Sequence, residues 1–334
     1  MPPRPKKPSE KVATQSKLLQ AIDFLSTIQK DEGAPYETHI LLQNQCVVGY
    51  NDTLSAGAFV DEAVLAAPHT TTLLKALVKC GQDYQSLTID GQKITLKAGK
   101  FKASIPCIDP TLIQFRSPDN PCAVIDDRLK EALKCIDVIK PEPNAQEIHL
   151  LSFLLNGQSL VGTDGRILIE YWHGIDLPTL TIPKAVIAPI LKNNKKLTQF
   201  GFSNNSVTFF FEDNSWIKSQ LYAKQYPIER MGDIINRPSN PSPVPADFYK
   251  ALSAVAPFSP EGRVFFKQGL LCSHSVREIG ATYDVPGLPE GPVFSAKYLA
   301  LAKDYIEQID FMVDGGKMAY FFGKQCRGVI AGHG

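Results

Sequence analysis

The chain repeats itself, and that restricts its fold more than any other feature. Ile94-Thr95-Leu96 resembles Val207-Thr208-Phe209, 113 positions later, and the same shift lays Leu77-Val78-Lys79 on Ile190-Leu191-Lys192 and Val48-Gly49 on Val161-Gly162. A shift of 114 lays Ile22-Asp23-Phe24-Leu25 on Ile136-Asp137-Val138-Ile139. A third copy follows, because a shift of 111 carries Leu160 to Leu271, Arg166 to Arg277 and Lys192 to Lys303, and one of 119 carries Ala132-Leu133 to Ala251-Leu252. Self-similarity at a fixed period means one supersecondary unit built several times. The 334 residues are thus three diverged units of about 110 residues each, in keeping with a length too great for one ordinary core.

Each unit has the same grammar. An amphipathic helix opens it: Leu18, Ile22 and Leu25 in the first copy, Leu129, Leu133 and Ile136 in the second, Phe248, Leu252 and Val255 in the third. Spacings of three and four put these residues on one face. Strands follow, as in IHLLSFLLNGQSLVGTDGRILIEYW, where Asn156-Gly157 marks a hairpin turn. A second helix comes next: TTTLLKALVKC, PKAVIAPILK and SAKYLALAKDYI. Pro183 suits a helix first turn, and Pro189 makes the middle one short or kinked.

A strand hairpin closes the unit. Its middle copy, NSVTFFFEDNSWIKSQLYAKQYP over 205–227, is too apolar to have a wet face, and Phe209 to Phe211 read as core. The expected reason is that both helices of the unit pack on one sheet face. The fold class expected is therefore α+β: three tandem domains, each with two helices on an antiparallel sheet.

Lys+Arg 35 against Asp+Glu 34 leaves the chain near neutral, so a nucleic-acid role would need charge gathered locally. It is gathered. Residues 70–81 carry Lys75 and Lys79 with no acid, and residues 183–196 carry Lys184, Lys192, Lys195 and Lys196 with none. Lys297 and Lys303 stand against Asp304 in the third copy. Lys130 and Lys134 share a face of the second opening helix, and Lys250 sits on the third. On an arc of units these cations would line one curved surface, suited to phosphates and blind to bases. The alternative is that they are ordinary solvated helix faces.

Seven cysteines without a C-x-x-C pair indicate reduced thiols in a cytoplasmic setting. No run of 18 apolar residues suggests a membrane span. The opening MPPRPKKPSEK reads as a disordered basic tail over 1–16 rather than a signal peptide.

VGTDGRILIEYW, then LPTLTIPKAVIAPILK, then SQLYAKQYP, resembles in order and spacing the middle domain of the bacterial-type sliding clamp, the β subunit of DNA polymerase III. With the threefold plan, the resemblance covers almost all of the chain after residue 16. It implies clamp domains at 17–118, 119–237 and 238–334. It implies a head-to-tail homodimer, a pseudo-sixfold ring whose helices line a channel threaded by duplex DNA without sequence specificity. The lysines at 75, 79, 130, 134, 192, 195, 196, 250, 297 and 303 would face that DNA. The partners implied are a DNA polymerase, a clamp-loader ATPase, and other replication or repair proteins carrying short clamp-binding peptides. Their pocket would have Thr163, Gly165, Arg166 and Leu168 as one wall, Pro227 as another, and Val329 and Ile330 as an apolar floor. Two departures touch that pocket: Arg-Ile-Leu follows Thr-Asp-Gly where the family has His-Arg-Leu, and AGHG replaces a Met-Pro-rich tail. A viral or mobile-element origin is compatible with the short units.

Residue chemistry offers little for catalysis. Asp52, Asp164 and Asp213 sit singly without His or Glu at ligand spacing, and the six histidines form no H-x-x-x-H pair. GGKMAYFFGK lacks the Gly-Lys-Ser/Thr of a phosphate loop. The reading is a processivity factor without catalytic residues, cofactor or metal. The alternatives are a clamp-like scaffold that does not encircle DNA, and a carboxylate-dependent nuclease.

Overall fold

A computed structural model describes residues 16–81, 84, 86–140 and 144–333. Apart from Ser16, the tail expected over 1–16 lies outside the described residues. Ser16 itself caps the first helix, its Oγ accepting from the Leu19 N–H at 3.2 Å.

The opening helices form where the apolar spacing put them: Lys17–Ser26, Asp127–Asp137 and Phe248–Val255. Leu18, Ile22 and Leu25, like Leu129, Leu133 and Ile136 and then Phe248, Leu252 and Val255, are all buried. The second helices are Thr70–Cys80, Ile187–Lys192 and Ala296–Leu301. The middle one is short, with Pro189 inside it and a 3-10 turn, Lys184–Val186, ahead of it. The strand pairs that build the sheets, among them Leu41–Gln43 with Cys46–Tyr50, Ser159–Thr163 with Ile167–Trp172 and Lys93–Ala98 with Phe101–Ile108, are antiparallel.

The chain divides into two compact units. The first runs to Asn120 and takes in Lys192–Lys195 and Thr208–Ser219. In it, strands Leu41–Gln43, Cys46–Tyr50 and Leu54–Phe59 form a meander, and Trp216–Gln220 pairs with Leu54–Phe59 from Trp216↔Gly57 to Ser219↔Leu54. A second sheet is ordered Ala67–Pro68, Phe101–Ile108, Lys93–Ala98, Ser86–Ile89.

The apolar hairpin therefore has a different reason from the one expected. Its tip and second strand pack with the first copy's elements and not only with helices of its own unit. Phe211 meets Phe24 of the first helix edge-on, ring centroids 5.7 Å apart. The Trp216 ring covers Gly57, where an added Cβ would lie 2.7 Å from Cε2 and Cζ2. Lys218 Nζ donates to Asp119 Oδ1 at 3.0 Å and to the Ser117 carbonyl at 2.9 Å, while Thr208 Oγ1 donates to Asp119 Oδ2 at 2.8 Å. A strand with a neighbour on each edge and aromatics packed over it has no wet side. Phe209 and Phe211 are each 1% exposed, the core role expected of them.

The second unit comprises Pro121–Leu191, Lys196–Val207 and Gln220–Gly334. Its main sheet has eight strands in the order Leu180–Pro183, Ser152–Asn156, Ser159–Thr163, Ile167–Trp172, Cys326–Ala331, Met318–Phe322, Gln308–Val313, Ser242–Pro243. The middle copy's strand Ile167–Trp172 thus pairs directly with the chain's last strand, Leu168 opposite Val329 and Ile167 opposite Ile330. A four-stranded sheet is ordered Thr282–Asp284, Leu270–Cys272, Arg263–Lys267, Val293–Ser295.

Ile148–Leu151, expected as strand, is instead a turn of helix. Ser152 Oγ donates to the Ile148 carbonyl at 2.6 Å, and Lys184 Nζ donates to the Leu150 carbonyl at 3.0 Å. These two bonds satisfy carbonyls that end the helix turn.

Candidate peptide site and nucleic-acid interface

The Thr163-Asp164-Gly165 stretch is a turn that uses up its own polar groups. Thr163 Oγ1 donates to the Ile167 carbonyl at 2.7 Å and accepts from Gly165 N–H at 3.0 Å. Asp164 Oδ1 accepts from the N–H groups of Arg166 and Ile167 at 2.9 and 3.0 Å. Gly165 takes φ +87°, open to a residue without Cβ. The side chains of Thr163 and Asp164 are buried; Arg166 and Gly165 are exposed.

Behind this turn sits Lys184, grouped at first with the surface lysines. It is buried, 8% exposed. Its Nζ donates to the carbonyls of Thr163 and Leu150 at 2.8 and 3.0 Å, tying the turn to the short helix. Burial pushes its pKa down from the ordinary 10.5 to about 8, against the pull of Asp164. Unfolded, Lys184 keeps its proton up to about 10.5, so between the two values the unfolded state binds more protons and stability rises with pH. The shift corresponds to roughly 3 kcal/mol over the whole interval. Urea melts at pH 8 and pH 9.5 are expected to show wild type gaining stability and Lys184→Met gaining less. An identical gain in both proteins would remove Lys184 from this role.

The strands then present two faces. Leu168 and Val329 lie on one, in a buried cluster with Leu154, Val161, Tyr226, Met231, Ile235, Val313 and Tyr320. Ile234, Met318 and Phe322 pack against it half-buried. Ile330 is opposite Ile167 and one residue out of step with Leu168 and Val329, so it points to the other face. That is the face of Gly162, where a Cβ would come 2.8 Å from Ile136 of helix Asp127–Asp137. Ile330 is 0% exposed and is core beneath that helix. Gly328 has room for no side chain: an added Cβ would lie 2.2 Å from Phe321 Cζ and 2.5 Å from the Leu168 carbonyl oxygen.

The Leu168 cluster is covered by a helix not anticipated from the sequence, Ile228–Ile235, entered from Pro227. Its own Met231 and Ile235 are buried, and Tyr320 Oη donates to the Ile234 carbonyl. A signal for it was available: Ile228, Met231 and Ile235 recur at three and four behind a proline, with Glu229 in the first turn. Tyr226, 4% exposed, packs edge-on to His149 at 6.4 Å between centroids, and among the described residues nothing hydrogen-bonds its hydroxyl. Burial pushes the Tyr226 phenol up and the His149 imidazole down.

The lysines fall into three kinds. Lys75 and Lys79 on helix Thr70–Cys80, Lys134 on helix Asp127–Asp137, and Lys196 are exposed. Lys192 is exposed and 3.8 Å from Asp23, while Lys250, Lys297 and Lys303 are exposed and lie over the rings of Tyr283, Tyr298 and Tyr249 at 5.9, 5.1 and 5.8 Å. Lys130 and Lys195 are half-buried.

No protein-family model matches the sequence, and no curated protein matches it. Solved structures do match its shape. The DNA polymerase sliding clamp from Pseudomonas aeruginosa superposes with a TM-score of 0.76 at 14% identity, over 95% of this chain and 97% of that one. The DNA polymerase III β subunit from Bartonella birtlesii, bound to griselimycin, does so at 0.78 and 14%, with the same coverage. The Helicobacter pylori β clamp bound to a DNA ligase peptide does so at 0.72 and 13%, again over 95% and 97%. The fold is that of a bacterial sliding clamp. Coverage of nearly the whole length means that the clamp fold takes in all three sequence repeats. At these identities the side chains are this chain's own, so the helix over Leu168 and the buried Lys184 stand on its own geometry.

Proposed function

We propose that this chain is a sliding clamp: two copies close head to tail around duplex DNA and tether a polymerase and other partners to it. The observation that carries the reading is the clamp fold over 95% of the chain. Exposed lysines on second helices of the repeats support it, because mobile point charges hold a duplex centred without reading bases. Domains at 17–118, 119–237 and 238–334 are part of the proposal, as are a clamp-loader ATPase partner and a cytoplasmic setting. No described helix is long and apolar enough to cross a membrane. The clamp does no chemistry of its own, and among the described residues no group of three His, Cys, Asp or Glu side chains is placed to hold a metal.

Peptide recruitment is proposed beside the Leu168–Val329 cluster, on the half-buried Ile234, Met318 and Phe322 that pack against it, with Arg166, Gly165 and Pro227 at the rim. That the Helicobacter clamp takes a DNA ligase peptide supports such a site.

Ring closure would use free sheet edges. In the first repeat, residues 101–106 of strand Phe101–Ile108 pair with Lys93–Ala98 on one side, while its Cys107 and Ile108 alone pair with Ala67–Pro68 on the other. In the third, Thr282–Asp284 ends its sheet. Light scattering at micromolar concentration is expected to give twice the chain mass. A strict monomer or a trimer would rule out the six-domain ring.

A further inference from the structure

His39 and His69 are 30 positions apart, yet they meet inside the first unit. A short helix, Pro35–Thr38, ends at His39, and His69 is the N-cap of helix Thr70–Cys80. The two residues face each other in an antiparallel bridge, and their half-buried rings pack edge to face, centroids 5.1 Å apart at 81°. Next to the bridge the Ile40 N–H donates to the Pro68 carbonyl at 3.2 Å. The His69 carbonyl in turn accepts from the Leu73 N–H at 3.0 Å, in the first turn of the helix. The contact thus holds the start of a helix that carries Lys75 and Lys79.

The pair suits neutral rings and not charged ones. Thr38 Oγ1 donates to the Ala34 carbonyl at 3.2 Å, so at 2.8 Å it accepts from the His39 Nδ1–H, and His39 Nε2 is the atom left to take up a proton. The groups around the rings do little to hold that proton. Glu37, one helix turn back, is engaged with Lys30 and with the Ala34 N–H. In the loop before it, Asp31 gives its carboxylate to Thr71 Oγ1 at 2.5 Å and its carbonyl to His69 Nε2 at 3.2 Å, and Glu32 is exposed. From strand Phe101–Ile108, Cys107 lies opposite Pro68 with a thiol that burial keeps protonated. Helix Thr70–Cys80 has no acid in its first turn, and the positive end of its dipole disfavours a cation at His69. Burial, and then the charge of His69, hold the His39 imidazole below its ordinary 6.5.

We propose that His39 and His69 form an acid-opened latch: neutral, the pair pins the N-terminal end of helix Thr70–Cys80, and doubly protonated it repels and lets that end go. Below pH 6.5 the unfolded chain binds a proton at His39 that the folded contact refuses, so stability is lost as pH falls through that window. Two unit charges 5.1 Å apart shift an equilibrium about fourfold even in water-like surroundings. The latch itself does not depend on the proposed clamp function. Only its consequence does: on that reading, acid loosens one lysine-bearing helix from DNA.

The test uses the full chain without DNA. Imidazole resonances are followed by NMR from pH 8 to pH 4.5 in wild type and in His69→Asn, asparagine being itself a good N-cap. His39 is expected to titrate higher once His69 is gone, and an unchanged His39 titration would overturn the proposal. Protection of the Leu73 N–H against hydrogen exchange is then compared at pH 7.5 and pH 5. It is expected to fall about fourfold further in wild type than in His39→Asn. An equal fall in both proteins would also overturn the latch, because acid would then fray the helix without the pair. His39→Gln repeats the comparison should asparagine disturb the bridge, with melts at pH 7.5 checking that each variant is folded.

Discussion

Changing Lys75, Lys79, Lys134, Lys192 and Lys297 together to Glu is expected to cut binding to a nicked circular duplex at least a hundredfold at low salt, and to abolish processive synthesis. These five are exposed, and four of them lie on second helices of the repeats. Each lysine near a phosphate releases about one counterion, so removing five lowers the salt slope by about four to five. The effect is collective, because each contact is weak and exchangeable. Lys195 is left out: it is half-buried and engaged within the protein, so its loss would mix binding with packing. Lys184 is left out for the same reason, with two carbonyls on its Nζ. Thermal melts and mass in solution should be unchanged in the quintuple variant, since all five side chains are exposed. Binding to duplex oligonucleotides, measured from low to moderate salt, decides the matter. An unaltered slope would mean that DNA does not meet this surface.

A charge placed beside the Leu168 cluster is expected to weaken capture of a clamp-binding peptide at least tenfold. The residues to change are Met318 and Ile234, each to Glu. Both pack against the cluster while remaining half-exposed, so a peptide can reach them and the fold can tolerate them. Leu168 and Ile330 are poorer choices. They are 4% and 0% exposed, and a buried carboxylate there would unfold the sheet before it tested the site. Burying one leucine or phenylalanine of the peptide against this patch contributes about 1.5–3 kcal/mol, and a facing carboxylate forfeits that. The measurement is a fluorescence titration with a labelled peptide of glutamine-leucine-aromatic pattern. Dimer mass and DNA binding should survive. Equal affinity for wild type and both variants would place the peptide elsewhere.

Local periodicity carried much of the fold. The three opening helices were legible because Leu18, Ile22 and Leu25, and their counterparts, fix one buried face whatever lies opposite. Pro189 announced a short helix by itself. Ile148–Leu151 was illegible as helix, because four apolar residues before a strand have no period of their own. Two hydrogen bonds, one from Lys184 far along the chain, accompany the turn. Lys184 misled for the same reason: a lysine beside other lysines reads as surface until two carbonyls are found on its Nζ. That Leu168 and Val329 share a strand face which Ile330 does not was hidden in the sequence, because one residue of strand register decides the face. The Ile228–Ile235 helix carries its own signal, in Pro227 and in the three- and four-residue spacing of its apolar side chains.

The place of residues 208–219 in the first unit has a consequence for the order in which the chain is made. Strand Leu54–Phe59 gains its second neighbour only when Trp216–Gln220 arrives. At ordinary rates of synthesis of about 5–20 residues per second, the 160 positions from Phe59 to Ser219 take roughly 8–32 s. Throughout that time one edge of a nascent sheet, with Gly57 open where Trp216 will lie, faces the ribosome exit and its surroundings unpaired. Helix Lys17–Ser26 and the meander can gather early, but the first unit cannot finish before the middle repeat is almost wholly translated. Folding of this chain is a clasp rather than three beads released in turn, and its long contact order makes that unfinished edge the stage at which a chaperone would matter most.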